Sequence, residues 1–183
     1  MRRAVNNVIS VAWTFLRITV WKIRLMGSLH VKGAIQRISP NVVCEFNQGS
    51  KVNVGRTVRI HSGSKIKARK GSNLTIGDNV RINYNCMIVC HDAVTIGAGT
   101  EFGPNVLVYD HDHTFRGGVL RMGSFECSPV EIGENCWIGA GTIILRGTKI
   151  GANSVVAAGS IVKGEFPSDS LILQRRTTEV RGC

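Results

Sequence analysis

From Ile132 onward, aliphatic residues recur at every sixth position: Ile132, Ile138, Ile144, Ile150, Val156 and Val162. Glycine follows at 133, 139 and 151, and alanine at 157. The position four after most of them is small or compact: Cys136, Thr142, Thr148, Ser154 and Ser160. A helix repeats near 3.6 and a strand at 2, so neither alone accounts for this period. A chain that runs one short strand, turns and runs another does account for it. Three such faces make a triangular coil of about eighteen residues, and stacked coils form parallel sheets with one aliphatic residue pointing inward from each face. The expected fold class is an all-β solenoid, a parallel β-helix of hexapeptide repeats.

The same register runs upstream through Val54, Ile60 and Ile66, then Ile76, Ile82 and Ile88, then Ile96, Phe102 and Val108. Extra residues fall between Ile66 and Ile76, between Ile88 and Ile96, and in far larger number between Val108 and Ile132. The coil is therefore expected to be continuous, with one long loop at about 110–129. Structureless insertions of that length in compact domains are usually functional or disordered.

Residues 2–26 follow a helical period instead. Val5, Val8, Ile9, Ala12, Trp13, Leu16, Val20 and Ile23 recur at three and four, with Arg3, Asn7, Ser10, Thr14, Arg17 and Arg24 on the opposite stripe. Charges at Arg17, Lys22 and Arg24 interrupt the apolar run, which falls short of the roughly 20 residues a membrane span needs. A basic amphipathic helix with Trp13 and Trp21 suits a membrane surface. Packing against the β-helix or another subunit suits it equally. The expected organisation is a basic amphipathic helical segment at 1–37, a β-helix catalytic domain at 38–167 and a C-terminal tail at 168–183.

Charge sharpens this picture. The formal net charge is +11, and residues 1–77 carry 14 Lys and Arg against one acid, Glu45. Such a half points to a polyanion or an anionic membrane surface. No zinc-finger spacing, helix-turn-helix pattern or RNP-like motif accompanies it, so nucleic acid is not expected as a partner. The six cysteines form no CxxC pair, and no cleavable signal with a small-residue cleavage site is evident. Reduced thiols and a cytoplasmic location are expected, peripheral on the inner face of the membrane if the helix meets lipid and not protein.

The stretch "VYDHDHTFRG" at 108–117 breaks the repeat with titratable groups. Histidine is well placed for proton transfer near neutral pH, and His-x-His with a third histidine also suits a metal. His91 lies three after Ile88 and His111 three after Val108, so the two should stack on successive coils about 4.8 Å apart. Strand alternation sets Asp110 and Asp112 opposite His111 and His113, which argues against direct pairing between them.

The stretches "PNVLVYDHDH", "NYNCMIVCHDAVTIG" and "VEIGENCWIGAGTIILRGTKIGANSVVAAGSIV" resemble the hexapeptide-repeat O-acetyltransferases, the maltose/galactoside acetyltransferase group and its polysaccharide-modifying relatives. The resemblance covers about residues 54–167 and implies a left-handed coil. It implies acetyl-CoA as co-substrate, no metal, a homotrimer with sites between subunits, and a carbohydrate acceptor. The family's catalytic histidine comes nine residues after the proline of an APNV-type turn. Counted from Pro104 it falls on His113, with His111 as a neighbour. The acceptor-contacting Asn falls on Asn83, and an Asp that contacts the sugar falls on His91. Asp110, Asp112 and Phe125 complete the expected acceptor side. Trp137 matches a Trp lining the CoA channel, the Ala140 amide a donor to the thioester oxygen, and Ala158 a backbone contact to the pantetheine arm. Lys163, Arg175 and Arg176 stand where the family's tail departs from its usual "GxPA", as candidate phosphate contacts.

The implied function is acetyl-CoA-dependent O-acetyl transfer to a sugar hydroxyl of a surface polysaccharide or its lipid-linked precursor. In it His113 acts as general base and transfer is direct. The alternatives are a metal-dependent, carbonic anhydrase-like enzyme using His91, His111 and His113, and an inactive scaffold trimer. Cys127 is the one loop thiol that could serve as a nucleophile.

Overall fold

The computed structural model describes residues 2–25 and 27–175. Among the described residues a single helix, Arg2–Arg24, precedes a parallel β-solenoid with three faces. The first face stacks Leu29–Val31, Lys51–Val54, Asn73–Ile76, Ala93–Ile96, Val130–Ile132, Lys149–Ile150 and Glu165–Phe166. The second runs from Arg37–Ile38 to Leu171–Ile172, and the third from Val43–Phe46 to Ile161–Val162. This is the architecture of the left-handed β-helix of hexapeptide repeats.

The sixth-position aliphatics build the core as the period predicts. Val54, Ile76, Ile96, Ile132 and Ile150 lie in register on the first face. Ile60, Ile82, Phe102, Ile138 and Val156 do so on the second, and Ile66, Ile88, Val108, Ile144 and Val162 on the third. All are buried. The small residues between them are buried at the corners, where hydroxyls answer backbone carbonyls: Thr148 donates to Leu145 O at 2.6 Å and Ser160 to Ala157 O at 2.7 Å. Corners also need one residue in the left-handed region, which Asn105 and Asn135 supply with φ of 59° and 54°.

From Val54 onward, every departure from six falls on one edge, between the third and first faces. The long insertion leaves from that edge and is not a structureless loop. His111–Arg116 and Val119–Cys127 form an antiparallel hairpin closed at Gly117–Gly118, both at positive φ. Two central residues at positive φ match the tight turn that follows the twist of paired strands.

The coil also reaches beyond the span 38–167, with strands from Leu29 to Ile172. Val31, Ile38 and Cys44 occupy the inward positions of the first coil, paired with Val54, Ile60 and Ile66. A seven-residue step and a cysteine in an aliphatic position hide this coil in the sequence.

The helix sits across the open end of that first coil on a mixed face, in which Thr14 and Arg17 stand beside Ile18, Trp21 and Leu25. Thr14, 1% exposed, accepts from Ile38 N–H at 3.0 Å, and its one hydroxyl proton is shared between Ser10 O at 2.5 Å and Ile38 O at 3.0 Å. Arg17 donates to Val42 O at 2.8 Å. Ile38 lies in the outermost strand of its sheet, so these side chains satisfy backbone groups that no further strand pairs. Trp21 packs edge-on against Phe46 at 5.2 Å, and Leu25 is buried beneath the helix end. The stripe Val8, Ile9, Trp13, Leu16, Val20 and Ile23 faces outward.

Candidate functional site

The hairpin base carries the candidate chemistry. Asp110, at the bend between Leu107–Tyr109 and the hairpin, is fully enclosed. Its carboxylate accepts the His91 amide at 2.9 Å and the Asp92 amide at 2.7 Å. Its carbonyl accepts the Ser128 amide at 2.8 Å, which closes the neck of the hairpin. Its Oδ1 also lies 3.1 Å from His111 Nδ1. The expectation from alternation is thus overturned. Residue 110 is a bend and not a strand residue, so the alternation that would separate it from His111 does not apply.

His91 and His111 stack with centroids 3.9 Å apart, as the register predicts. Phe125 sits among all three histidines, 4.3 Å from the His91 ring, 4.9 Å from His113 and 5.4 Å from His111. It arrives there by cross-strand pairing with His113. Burial pushes His91 below its ordinary pKa, and the neighbouring His111 adds to this against the opposing pull of Asp110. His113 is exposed, while the His111 side chain is only 12% exposed.

Two expected acceptor contacts have other work. Asp110 has no surface to offer. Asp112 pairs across the hairpin with Glu126, a like-charge pair that Arg146 resolves by reaching both, at 2.6 and 3.2 Å. Arg146 thereby ties the hairpin to the corner after Ile143–Ile144, a role the sequence reading missed because the pairing register was not visible. Cys127 pairs with His111 in the ladder, and burial together with the charges of Asp110 and Asp92 raises its pKa. A thiol so placed is held in its less nucleophilic form. The other described cysteines, 44, 86, 90 and 136, are free and raised as well, Cys44 to about 12 by burial.

The remaining candidates lie elsewhere. Asn83 follows Arg81–Ile82 at the edge between the second and third faces, in a groove of about 710 Å³ with His61 and Tyr84. Trp137 stands exposed on the second face, in register with Glu101 and Val155. Ala140 and Ala158 follow on successive coils at Asn83's edge. Their close stacking depends on glycine: a Cβ on Gly139 would meet Ala158 N at 2.5 Å. Lys163 is exposed on the hairpin's edge, and Arg175 is exposed after Gln174, whose side chain bonds both backbone groups of Ile161. Arg176 lies outside the described residues. Within one chain, the histidine cluster and the Trp137–Ala140–Ala158 side therefore occupy different edges of the prism. Among the described residues no group of three or more His, Cys, Asp or Glu converges as metal ligands.

Residues 129–164 match the family model "Bacterial transferase hexapeptide (six repeats)". The chain is 40% identical over 97 residues to galactoside O-acetyltransferase of Escherichia coli K12, covering 53% of this chain and 48% of that one. It spans about half the length of several such curated relatives. It is 30% identical over 138 residues, 70% of each chain, to an Escherichia coli K12 protein provisionally named as the lipopolysaccharide biosynthesis O-acetyl transferase WbbJ. Among solved structures it is similar to AntD, an N-acyltransferase from Bacillus cereus in complex with dTDP and 3-hydroxybutyryl-CoA. That likeness has a TM-score of 0.68 at 21% identity, covers 83% of this chain and 80% of that one, and speaks to the fold. With the repeat, the solenoid and relatives of this identity and coverage together, the chain belongs to the hexapeptide-repeat acetyltransferases.

Proposed function

We propose that this chain is an acetyl-CoA-dependent O-acetyltransferase acting on a sugar hydroxyl of a surface polysaccharide or its lipid-linked precursor. The observation that carries the reading is the histidine cluster at the hairpin base, held by a buried carboxylate in a chain of this family. His113 is the general base, because an imidazole that takes a proton from an incoming hydroxyl must be reachable. His113 is exposed, whereas His111 is enclosed and engaged at Nδ1. His111 and Phe125 position it. The hydroxyl oxygen attacks the thioester carbonyl as its proton passes to His113, and CoA leaves as the thiol. General-base help of this kind is typically worth about 10²–10⁴ in rate. The Ala140 amide meets the developing oxyanion, and Trp137 and Ala158 line the path of the pantetheine arm.

The active unit is a homotrimer. The base and the CoA side lie on different edges of one prism, so a neighbouring copy must bring them together. The hairpin also exposes Phe115, Val119, Leu120 and Met122, an apolar surface suited to a second subunit. The carbonic anhydrase-like alternative loses support, because His91 and His111 stack ring on ring and do not converge on a point.

The test is thiol release from acetyl-CoA across a panel of sugars, oligosaccharides and lipid-linked sugars, with mass analysis of the acceptor. Thiol release matched by an added acetyl group on oxygen supports the reading. No release with any acceptor favours the inactive scaffold, and acetylation confined to amino sugars at nitrogen overturns the hydroxyl assignment.

A further inference from the structure

The helix Arg2–Arg24 turns a mixed face, with Thr14 and Arg17 beside Ile18, Trp21 and Leu25, to the solenoid and leaves its longer apolar stripe outside. Amphipathic helices bury the apolar stripe and expose the polar one. Here Thr14 and Arg17 face the solenoid, because what they meet is unpaired backbone at the end of the coil. The stripe left outside is large and apolar, with exposure from 45% at Trp13 to 75% at Ile23. At helical spacing Lys22 and Arg24 border this stripe on either side, and both are exposed. No acid precedes Glu45 in the sequence, and Glu45 is itself paired with Lys67 and Arg69 at 3.1 and 3.4 Å. Among the described residues no helix is long and apolar enough to cross a membrane.

We infer that this helix docks flat on an anionic lipid surface through Val8, Ile9, Trp13, Leu16, Val20 and Ile23, with the solenoid standing on its first coil. The apolar stripe enters the boundary between headgroups and acyl chains, Trp13 lies at that boundary, and the flanking cations meet lipid phosphates. A wholly buried helix partner of protein would have no use for the excess of uncompensated cations around the stripe. The lipid surface uses both features. The geometry also sets a height. The hairpin leaves from the fourth strand of the third face, about 14 Å above the first at a spacing near 4.8 Å per coil. With the roughly 10 Å thickness of the helix added, the histidine cluster would stand about 24 Å above the lipid-facing side of the helix.

The experiment is flotation of the full chain with phosphatidylcholine vesicles, with and without phosphatidylglycerol, at low and high salt. The comparison is with Leu16→Gln combined with Val20→Gln. Both positions are exposed, so the thermal midpoint should not move. The expected result is flotation with the phosphatidylglycerol vesicles, weakened by salt and reduced about tenfold or more by the double substitution. Absence of flotation, or equal flotation of the variant, overturns the proposal. So does equal binding to neutral vesicles, which would leave the cations without a role. Dissociation of the oligomer by the double substitution, read by sedimentation, would show that a second copy of this chain covers the stripe.

Discussion

Asp110 Oδ1 lies 3.1 Å from His111 Nδ1, on a carboxylate that has no exposure and that also holds the His91 and Asp92 amides. One buried group thus fixes the imidazole of the hairpin and the backbone of the coil beneath it. The hairpin does not hang from the solenoid. It is keyed into it at the point where the histidines gather.

This arrangement separates two imidazoles by role. Replacing His113 with Ala should lower kcat by roughly 10² or more while acetyl-CoA affinity changes little. His111→Ala should cost less in kcat, because it removes a support beside the reacting atoms and not the base itself. Steady-state kinetics on both variants decide the matter. If His111→Ala is the more damaging, the dyad with Asp110 is the base and His113 is its neighbour.

Asp110→Ala should destabilise the fold, since it strands two buried amides. Each unsatisfied donor costs about 1–3 kcal/mol. Chemical denaturation should show the loss, and Asp110→Asn, which keeps one acceptor oxygen, should lose less. An Asp110→Ala protein as stable as the parent would mean that water replaces the carboxylate and that the hairpin is not keyed as described.

His91 gives the molecule a pH dependence of known sign. Burial holds its folded pKa below the ordinary 6.5, so the unfolded chain binds the proton more readily. The stability it contributes is fully present above the unfolded pKa. It is lost as pH falls from there through the folded value. Unfolding midpoints across pH 7 to about 5 should therefore fall more steeply for the parent than for His91→Gln. Parallel curves would show that His91 is not desolvated in the assembled protein.

Much of the solenoid was legible because burial dictates it. Val54, Ile76, Ile96, Ile132 and Ile150 must be aliphatic wherever the prism closes around them, and six-residue spacing exposes that demand. The stack of His91 on His111 followed from the same register. The first coil was hidden by Cys44 and the uneven step before Ile38. The hairpin was missed although Gly117–Gly118 between two polar-alternating runs carries the signal of a tight turn. Without its register, neither Arg146 bridging Asp112 and Glu126 nor Phe125 between the histidines could be seen. The helix shows a different limit. Both stripes were visible, but hydrophobicity alone names the apolar one as buried. The inward face instead joins Thr14 and Arg17, which bond unpaired backbone at the end of the solenoid, to Ile18, Trp21 and Leu25, which close its core.

That last point yields the sharpest test of the helix. Thr14→Val keeps the shape of the side chain and removes its hydroxyl, which accepts the Ile38 N–H and shares its proton between the carbonyls of Ser10 and Ile38. The site is 1% exposed, so water cannot readily take its place. The expected cost is about 1–3 kcal/mol, or a fall in thermal midpoint of about 2–4 °C per kcal/mol for a chain of this size. Thr14→Ser keeps the hydroxyl and should recover most of the loss. Deleting residues 1–26 should cost far more than either, because it removes Trp21 and Leu25 from the end of the core along with the bonds to Ile38 and Val42. The lipid-facing stripe is untouched in both point variants, so vesicle binding should persist in each while the protein stays folded. If Thr14→Val matches the parent in thermal midpoint, the bonds to Ile38 do not hold the helix and its orientation rests on Ile18, Trp21 and Leu25.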